Sequence, residues 1–400
     1  MRVCLVSAKF PPQRCGVGDY TAYLAGALAK IGHEVDVVTS KGDLDLTLYP
    51  SVPNVSVHRV VHTWGARGLP QLIRYIKRLD TTSLLIQYTP HSFDRRGIPF
   101  AVNLLPALLR AVYDIRVAAN FHELYIPFGQ TLKRDVGSAW QRAMALLMAS
   151  TSNAVSVTAA EWQRRLRRMG INKHIELIPV GSNIPLATFN EEDRCQVRRR
   201  FFANEEGILV ACFGASHDRD LKAVLHGLAR LKREGPAKLV WIGGGDPDQE
   251  RSSSIERAMV ANGLTPNDVV WTGVLPHPEV SRMLNACDVM MLPFIDGVST
   301  RRTSAVTAFQ HGLPLLTTRG NEIEPWFVHG QSVFLVPIGD AKALGEGLAE
   351  LGGSPELRDR LARGARKAYE TYFAWDIIAR HVIQMLQEWE GHEAQAVSTT

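Results

Sequence analysis

The sequence lacks any apolar run long enough to cross a bilayer. Its longest, Pro99 to Val112, is broken by Asn103, Pro106 and Arg110, and it falls short of the ~20 residues that a spanning helix needs. The start offers no secretory core either, because the apolar stretch Val3 to Val6 leads straight into Pro11 and Pro12; it reads as a first strand. Cysteine is scarce. Cys4, Cys15, Cys195, Cys212 and Cys287 are scattered, odd in number and without a C-x-x-C pair, which argues against a disulfide framework and a zinc site and places the chain in the cytoplasm. No H-E-x-x-H and no Cys/His cluster occurs, so no metal site is expected. With 32 Gly and 21 Pro in 400 residues, low-complexity and collagen-like structure are excluded.

What is present is a chain of 400 residues, 46% hydrophobic and 21% charged, enough for two or three domains with large cores at about 150 residues each. The net charge of +5 hides an asymmetry: residues 1–190 carry 22 Lys and Arg against 12 Asp and Glu, and the remainder carries 23 against 28. A basic first half suits nucleic acid, an anionic membrane surface or a phosphorylated substrate, and charge alone does not choose among them. Trp162-Gln-Arg-Arg-Leu-Arg-Arg168, apolar residues alternating with arginines on a predicted helix, suits weak peripheral contact with anionic lipid and equally a solvated helix with ordinary surface charge.

Short β-branched runs alternate with helical patterns along the whole chain, the mark of parallel sheets with crossover helices. Strands are expected at Arg2–Ser7, Glu34–Thr39, Val55–Val61, Leu84–Tyr88, Ile115–Phe121, Ala154–Val157 and Ile175–Ile178. After the Gly/Ser/Asn/Pro stretch Pro179–Pro185 they resume at Ile208–Phe213, Leu239–Ile242, Val269–Thr272, Val289–Leu292, Leu313–Thr318 and Val333–Val336. Between the first two, Tyr20, Tyr23, Leu24, Ala27, Leu28 and Ile31 recur at helical spacing, with Asp19 expected as the cap and Gly32 as the stop. The expected fold class is α/β, two doubly wound Rossmann-like domains (1–185 and 186–374) facing across a cleft, then a helix over 375–391 and a polar tail over 392–400. Ligands of such sheets bind beyond the carboxyl ends of the strands.

Several residues sit at those ends. Gly16 and Gly18 follow strand one and precede a helix; they either let the backbone approach a phosphate or sugar or serve a turn that needs positive φ. The third glycine of the dinucleotide fingerprint is missing, which disfavours nicotinamide. His122 and Glu123 close the strand Ile115–Phe121, placed for ligand contact, although a lone histidine is more often structural. Asp43/Asp45, Asp218/Asp220 and Asp246/Asp248 are D-x-D pairs that read as solvated loop aspartates rather than as holders of a metal diphosphate. Gly243 opens a glycine turn after a strand, also readable as a mere terminus. The segment Asp296 to Ser304 puts Arg301 and Arg302 beside Ser299, Thr300, Thr303 and Ser304 just before a short helix ending near His311-Gly312. That set would clamp a diphosphate through charge-assisted bonds, or form a solvated basic turn.

Together these residues resemble the retaining, GT-B-fold glycosyltransferases of family four. The resemblance spans nearly the whole chain: Gly16–Asp19, Gly32-His33-Glu34-Val35, Phe121-His122-Glu123, Pro179–Asn183, Val270–Gly273, Ala286–Pro293 and His311-Gly312-Leu313-Pro314. It implies a nucleotide-diphosphate sugar donor bound mainly by the second domain and a glycan or lipid-linked acceptor bound mainly by the first, where Asp19 and Glu123 are the candidate contacts. It further implies retention, no required metal or other cofactor, no nucleic acid partner, and a last helix crossing back to the first domain. His122 would then contact the donor sugar, and Gly16 and Gly18 its phosphate or the acceptor. The two glutamates usual in the family fall on Ser299 and Thr307, so neither carboxylate is present. Its Arg and Lys after the first strand of the second domain also fail to align; Arg219 or Lys222 would substitute, with Arg301 and Arg302 supplying positive charge. The expected activity is hexosyl transfer in polysaccharide biosynthesis. The alternatives are a degenerate, non-catalytic partner protein and a nucleotide-sugar epimerase.

Overall fold

The computed structural model describes residues 1–13, 15–42, 52–113, 115–129, 131–203, 206–243 and 249–397, leaving aside the side chains of 132–133, 249–254 and 389–397. Asp43/Asp45 and Asp246/Asp248 lie outside the described residues. The chain divides into two compact units, Met1–Val180 with Trp375–Thr400, and Gly181–Ala374.

The first unit is built on a seven-stranded parallel sheet in the order β3-β2-β1-β4-β5-β6-β7. Its strands are β1 Arg2–Val6, β2 Glu34–Ser40, β3 Val55–Val61, β4 Ser83–Tyr88, β5 Arg116–Phe121, β6 Ala154–Val157 and β7 Ile175–Leu177. Helices cover both faces, so the central strands read as continuous apolar runs: Val3 to Val6 and Leu84 to Ile86 are wholly buried. The order reverses between β1 and β4, which pair directly, Val3 opposite Ser83.

The second unit repeats the plan with β8 Ile208–Phe213, β9 Ala237–Ile242, β10 Val269–Gly273, β11 Val289–Leu292, β12 Leu315–Arg319 and β13 Phe334–Pro337. Their order is β10-β9-β8-β11-β12-β13, reversing between β8 and β11. Asp288, just before β11, anchors this unit. It accepts from Arg194 (2.9 Å), from Arg198 (2.8 Å) and from the amide of Leu209 (2.8 Å), while Arg198 also reaches the carbonyls of Ala286 and Gly207. The helix carrying both arginines, Glu191–Arg198, starts with a reciprocal capping box between Asn190 and Asp193.

Three sequence expectations are corrected. The first helix spans Gly16–Lys30 with Cys15 as its N-cap, so Gly16 and Gly18 are helical and Asp19 lies in the first turn, where it complements the helix dipole. Its end is as expected, Gly32 being left-handed at φ +92°. In the helix Ala160–Arg168, Trp162 and Leu166 are buried in the core. Only Arg167 and Arg168 remain fully exposed, so the segment has no apolar face for lipid, because the i, i+4 pair follows the side turned to the sheet. The last helix runs from Trp375 to Val397 through most of the expected tail, whose Glu393, Ala394, Gln395 and Ala396 are good helix formers. That helix packs on Gly16–Lys30, where Trp375 stacks on Tyr23 (5.4 Å between ring centroids) and meets Tyr20 edge-on at 5.2 Å. No helix among the described residues is long and apolar enough to cross a membrane.

Candidate active site

In the first unit the carboxyl ends of β4, β5 and β6 carry a buried polar chain. Ser156 donates to Asn120 Oδ1 at 3.0 Å, and Asn120 Nδ2 donates to Gln87 Oε1 at 3.0 Å. His122 Nε2 lies 2.8 Å from the same Gln87 oxygen. His122 Nε2 is also 3.3 Å from Asn120 Nδ2, and with the amides in these orientations the shorter contact to the Gln87 oxygen puts the imidazole proton on Nε2. His122 Nδ1 then carries the lone pair and makes no hydrogen bond among the described residues. The ring is held elsewhere by its backbone: its amide donates to Tyr88 O at 3.0 Å, its carbonyl accepts from Trp162 Nε1 at 3.1 Å, and Tyr20 packs edge-on at 4.6 Å. Burial pushes the His122 pKa down to about 3, so the ring is neutral at physiological pH. Gln87, Asn120 and Tyr20 were missed in the sequence. The signal was there for Gln87, a polar residue inside the buried run Leu84-Leu-Ile-Gln-Tyr.

The other first-unit candidates are placed as follows. A Cβ on Gly18 would stand 3.0 Å from Lys9 O, so this glycine lets the helix approach its own preceding loop, which corrects the expectation of ligand approach at Gly18. Gly16 faces open space at the helix start. Asp19 is half-buried and Glu123 exposed.

In the second unit, residues 216–220 and 293–296 meet beyond the ends of β8 and β11, the pair of strands that flanks the order reversal. Arg219 and Phe294 form an isolated antiparallel bridge, and the Asp220 amide donates to Pro293 O at 2.9 Å. This pairing gathers three arginines. Arg219 bonds Asp218, Ser304 Oγ (2.9 Å) and Phe213 O (3.2 Å) with its guanidinium 3.9 Å from the Phe294 ring centroid. Arg302 stands 4.6 Å from the same ring and bridges Asp218 and Asp296, and Arg301 also bonds Asp296. The basic segment is therefore no solvated turn. Asp218 belongs to this ionic network and Asp220 caps the helix Leu221–Leu231, so neither is a merely solvated aspartate.

Arg302 is the N-cap of the helix Thr303–His311, whose first amides add positive field beside the cluster. Thr300 is buried and donates to Glu324 at 3.2 Å. Ser299 Oγ is buried without a hydrogen-bond partner among the described residues. Thr307, at the other family glutamate position, donates to Thr303 O (2.9 Å) and lies 3.0 Å from Ser182 Oγ. Gly243 is left-handed at φ +81°, and among the described residues a Cβ added there would meet Phe213 at 3.8 Å and Gly214 at 3.9 Å. Lys222 is exposed in the first turn of Leu221–Leu231 and makes no ion pair among the described residues, so it does not join the cluster. A second buried imidazole, His311, bonds Ser281 Oγ (2.9 Å) and Thr307 O (2.8 Å); burial pushes its pKa down to about 4. Ser281 is wholly buried and also accepts from the Ala187 amide, so this Ser–His pair is structural.

Two parallel-sheet units with polar residues gathered at their strand ends define a GT-B protein, and the sequence families agree. Residues 15–184 match the model of Glycosyltransferase Family 4, and residues 207–353 match that of Glycosyl transferases group 1. The chain belongs to the family-four, group 1 glycosyltransferases. It is 23% identical to the MMP alpha-(1->4)-mannosyltransferase of Mycolicibacterium hassiacum, over 97% of this chain and 98% of that one. It is 24% identical to the amylovoran biosynthesis glycosyltransferase AmsK of Erwinia amylovora, over 56% of this chain and 54% of the other. In fold it is similar to sucrose-phosphate synthase from Thermosynechococcus elongatus (TM-score 0.75, 19% identity, 98% and 99% of the two chains). It is also similar to Anabaena HepE solved with UDP and glucose (TM-score 0.74, 14% identity, 97% and 100%).

Proposed function

We propose that the chain moves a hexose from a nucleotide-diphosphate sugar to a hydroxyl of a glycan or lipid-linked acceptor, with retention at the anomeric carbon. The observation that carries this reading is the arginine cluster on Phe294. Arg219, Arg301 and Arg302 gather beside a helix N-terminus beyond β8 and β11, where doubly wound sheets bind ligands. The relatives support the class: one is named a mannosyltransferase, another a polysaccharide biosynthesis glycosyltransferase, and HepE is solved with UDP-glucose.

In the proposed step the bond from the anomeric carbon to the diphosphate oxygen breaks, and a bond to the acceptor oxygen forms on the same face. The acceptor's proton passes to the departing phosphate oxygen. Negative charge grows on the diphosphate as it leaves, and guanidinium groups already held in place stabilise it without reorganisation. Ser299, Thr300, Thr303 and Gly243 complete the donor side, Gly16 adds helix amides, and Asp19 and Glu123 face the acceptor. Neutral His122 accepts a hydroxyl of the transferred sugar. No metal is required, the reaction takes place in the cytoplasm, and peripheral contact with an anionic membrane rests on exposed cations of the first unit, Arg167 and Arg168 among them.

A second reading, a binding protein without turnover, is favoured by one observation: Ser299 and Thr307 replace carboxylates while Asp218 and Asp296 offset two of the three arginine charges. A thermal-shift screen of UDP-, GDP-, ADP- and dTDP-sugars identifies the donor, since a ligand at 100 times its Kd adds about 2.7 kcal/mol. Turnover with that donor and an acceptor panel, and the anomer of the product by NMR, then separate the readings. Binding without turnover would favour the second, and an inverted product would refute retention.

A further inference from the structure

Gln87 has no place in the reading above, yet it is 1% exposed at the penultimate position of a central strand. Its Oε1 receives two hydrogen bonds while its Nε2 is buried without a partner among the described residues. Leaving a buried amide nitrogen unpaired costs about 1–3 kcal/mol, so this orientation is stabilised by what the oxygen does. The amide is turned from the far end. Ser156 donates to Asn120 Oδ1, which points Asn120 Nδ2 at Gln87, which in turn presents its oxygen to His122. Three strands thereby hold one imidazole tautomer.

We propose that Gln87 is a positioning residue that fixes His122 as a hydrogen-bond acceptor at Nδ1, and so selects donors whose transferred sugar presents a neutral hydroxyl rather than a carboxylate. The proposal rests on the assignment of His122 to the sugar. A hydroxyl donates to the Nδ1 lone pair. With His122 set against the carbon that bears a hexuronate's carboxylate in place of a hydroxymethyl group, that carboxylate carries no proton at neutral pH and would set lone pair against lone pair. Sites built to bond a hydroxyl reject ligands lacking one strongly. Among the described residues no charged group bonds the imidazole to change this: it meets Gln87, Asn120 and Tyr20, its carbonyl meets Trp162, and burial raises the Tyr20 pKa well above its ordinary value.

The substitution Gln87→Glu inverts the logic. A carboxylate accepting from Nε2–H favours the doubly protonated ring, which donates at Nδ1 and therefore suits a carboxylate. The test is made on the full chain. Long-range ¹⁵N–¹H NMR of ¹⁵N-histidine protein, with His122 assigned through its loss in His122→Gln, is expected to show a protonated Nε2 and bare Nδ1 from pH 6 to 8 in the native chain. Both nitrogens should carry protons in Gln87→Glu. Calorimetry with UDP-glucose against UDP-glucuronate, and GDP-mannose against GDP-mannuronate, should show at least tenfold preference for the neutral sugar. Gln87→Glu should lower that ratio at least tenfold, whereas a merely structural role would weaken both ligands alike. A proton on Nδ1 of the native chain, or an unchanged ratio in a folded Gln87→Glu, overturns the proposal. Binding of no nucleotide sugar would instead refute the functional reading, and the NMR result, which needs no ligand, would still decide the role of Gln87.

Discussion

Replacing Arg302 by alanine tests the diphosphate site most directly, because the structure predicts separate costs for folding and for chemistry. The side chain is 14% exposed and bonds two carboxylates, Asp218 and the 45% exposed Asp296. Neither acid is orphaned by the change: Asp218 keeps Arg219 and Asp296 keeps Arg301. The loss is thus two partly solvated ion pairs at about 1 kcal/mol each or less, plus ~0.5–1 kcal/mol for the contact with Phe294. About 2–3 kcal/mol in a unit of this size lowers Tm by about 4–12 °C, and the variant folds at 20 °C. Removal of a charge donor aimed at a developing anion costs about 10²–10³ in turnover. Arg302→Ala should therefore lose far more in kcat than in donor affinity, since only interactions stronger in the transition state accelerate the step. Arg301→Ala removes a more exposed side chain and should cost less in both. Melting temperature, donor Kd and single-turnover rate are measured for each variant. A folded Arg302→Ala with turnover within threefold of the native rate would mean that the cluster merely ties residues 218–220 to residues 293–302.

Further outcomes follow from the same geometry. Asp288→Ala leaves Arg194 and Arg198 without their shared carboxylate and should destabilise the second unit by about 3–5 kcal/mol, read as a lower urea midpoint; an unchanged midpoint would show the network to be dispensable. His122 and His311 have pKa values pushed by burial from the ordinary 6.5 down to about 3 and about 4. The unfolded chain therefore binds more protons between those values, and stability is full above pH 6.5 and falls as the pH drops. At pH 5 each unit should lose about 2 kcal/mol relative to pH 7.5, and equal urea midpoints at the two pH values would count against buried neutral rings. Turnover should persist in EDTA, because the arginines carry the diphosphate charge; loss of activity restored by Mg²⁺ or Mn²⁺ would refute this.

The strands were legible in the sequence because parallel strands buried on both faces appear as uninterrupted apolar runs: Ile208–Phe213 and Val289–Leu292 begin and end where the pattern puts them. Helix starts were less so. Gly16 and Gly18 look like loop residues until the Lys9 carbonyl beside Gly18 shows why a helix needs small residues there. The ionic network was half legible, since Arg301 and Arg302 stand out locally. Asp218, a partner of Arg302, is more than eighty residues away and becomes a neighbour only through the pairing of Arg219 with Phe294. Gln87 and Asn120 escaped for the same reason: strand register sets which polar residues touch, and local periodicity does not carry register. The alternation of Trp162 and Leu166 with arginines misled because spacing fixes a shared helix face but not which way it turns.

The contact of Trp375 with Tyr20 and Tyr23 sets an order of events during synthesis. The two tyrosines leave the ribosome early, yet the ring that covers them arrives only after all of residues 181–374 have been made. At about 5–20 residues per second that interval is roughly 10–40 s. Throughout it the first unit exists as a nascent body with an unsealed aromatic face next to the histidine, and the second unit has its whole sequence before the first does. A ribosome that stalls just after residue 374 therefore releases one complete unit joined to one unfinished unit, and the unfinished one, although translated first, is the part that a chaperone has to shield.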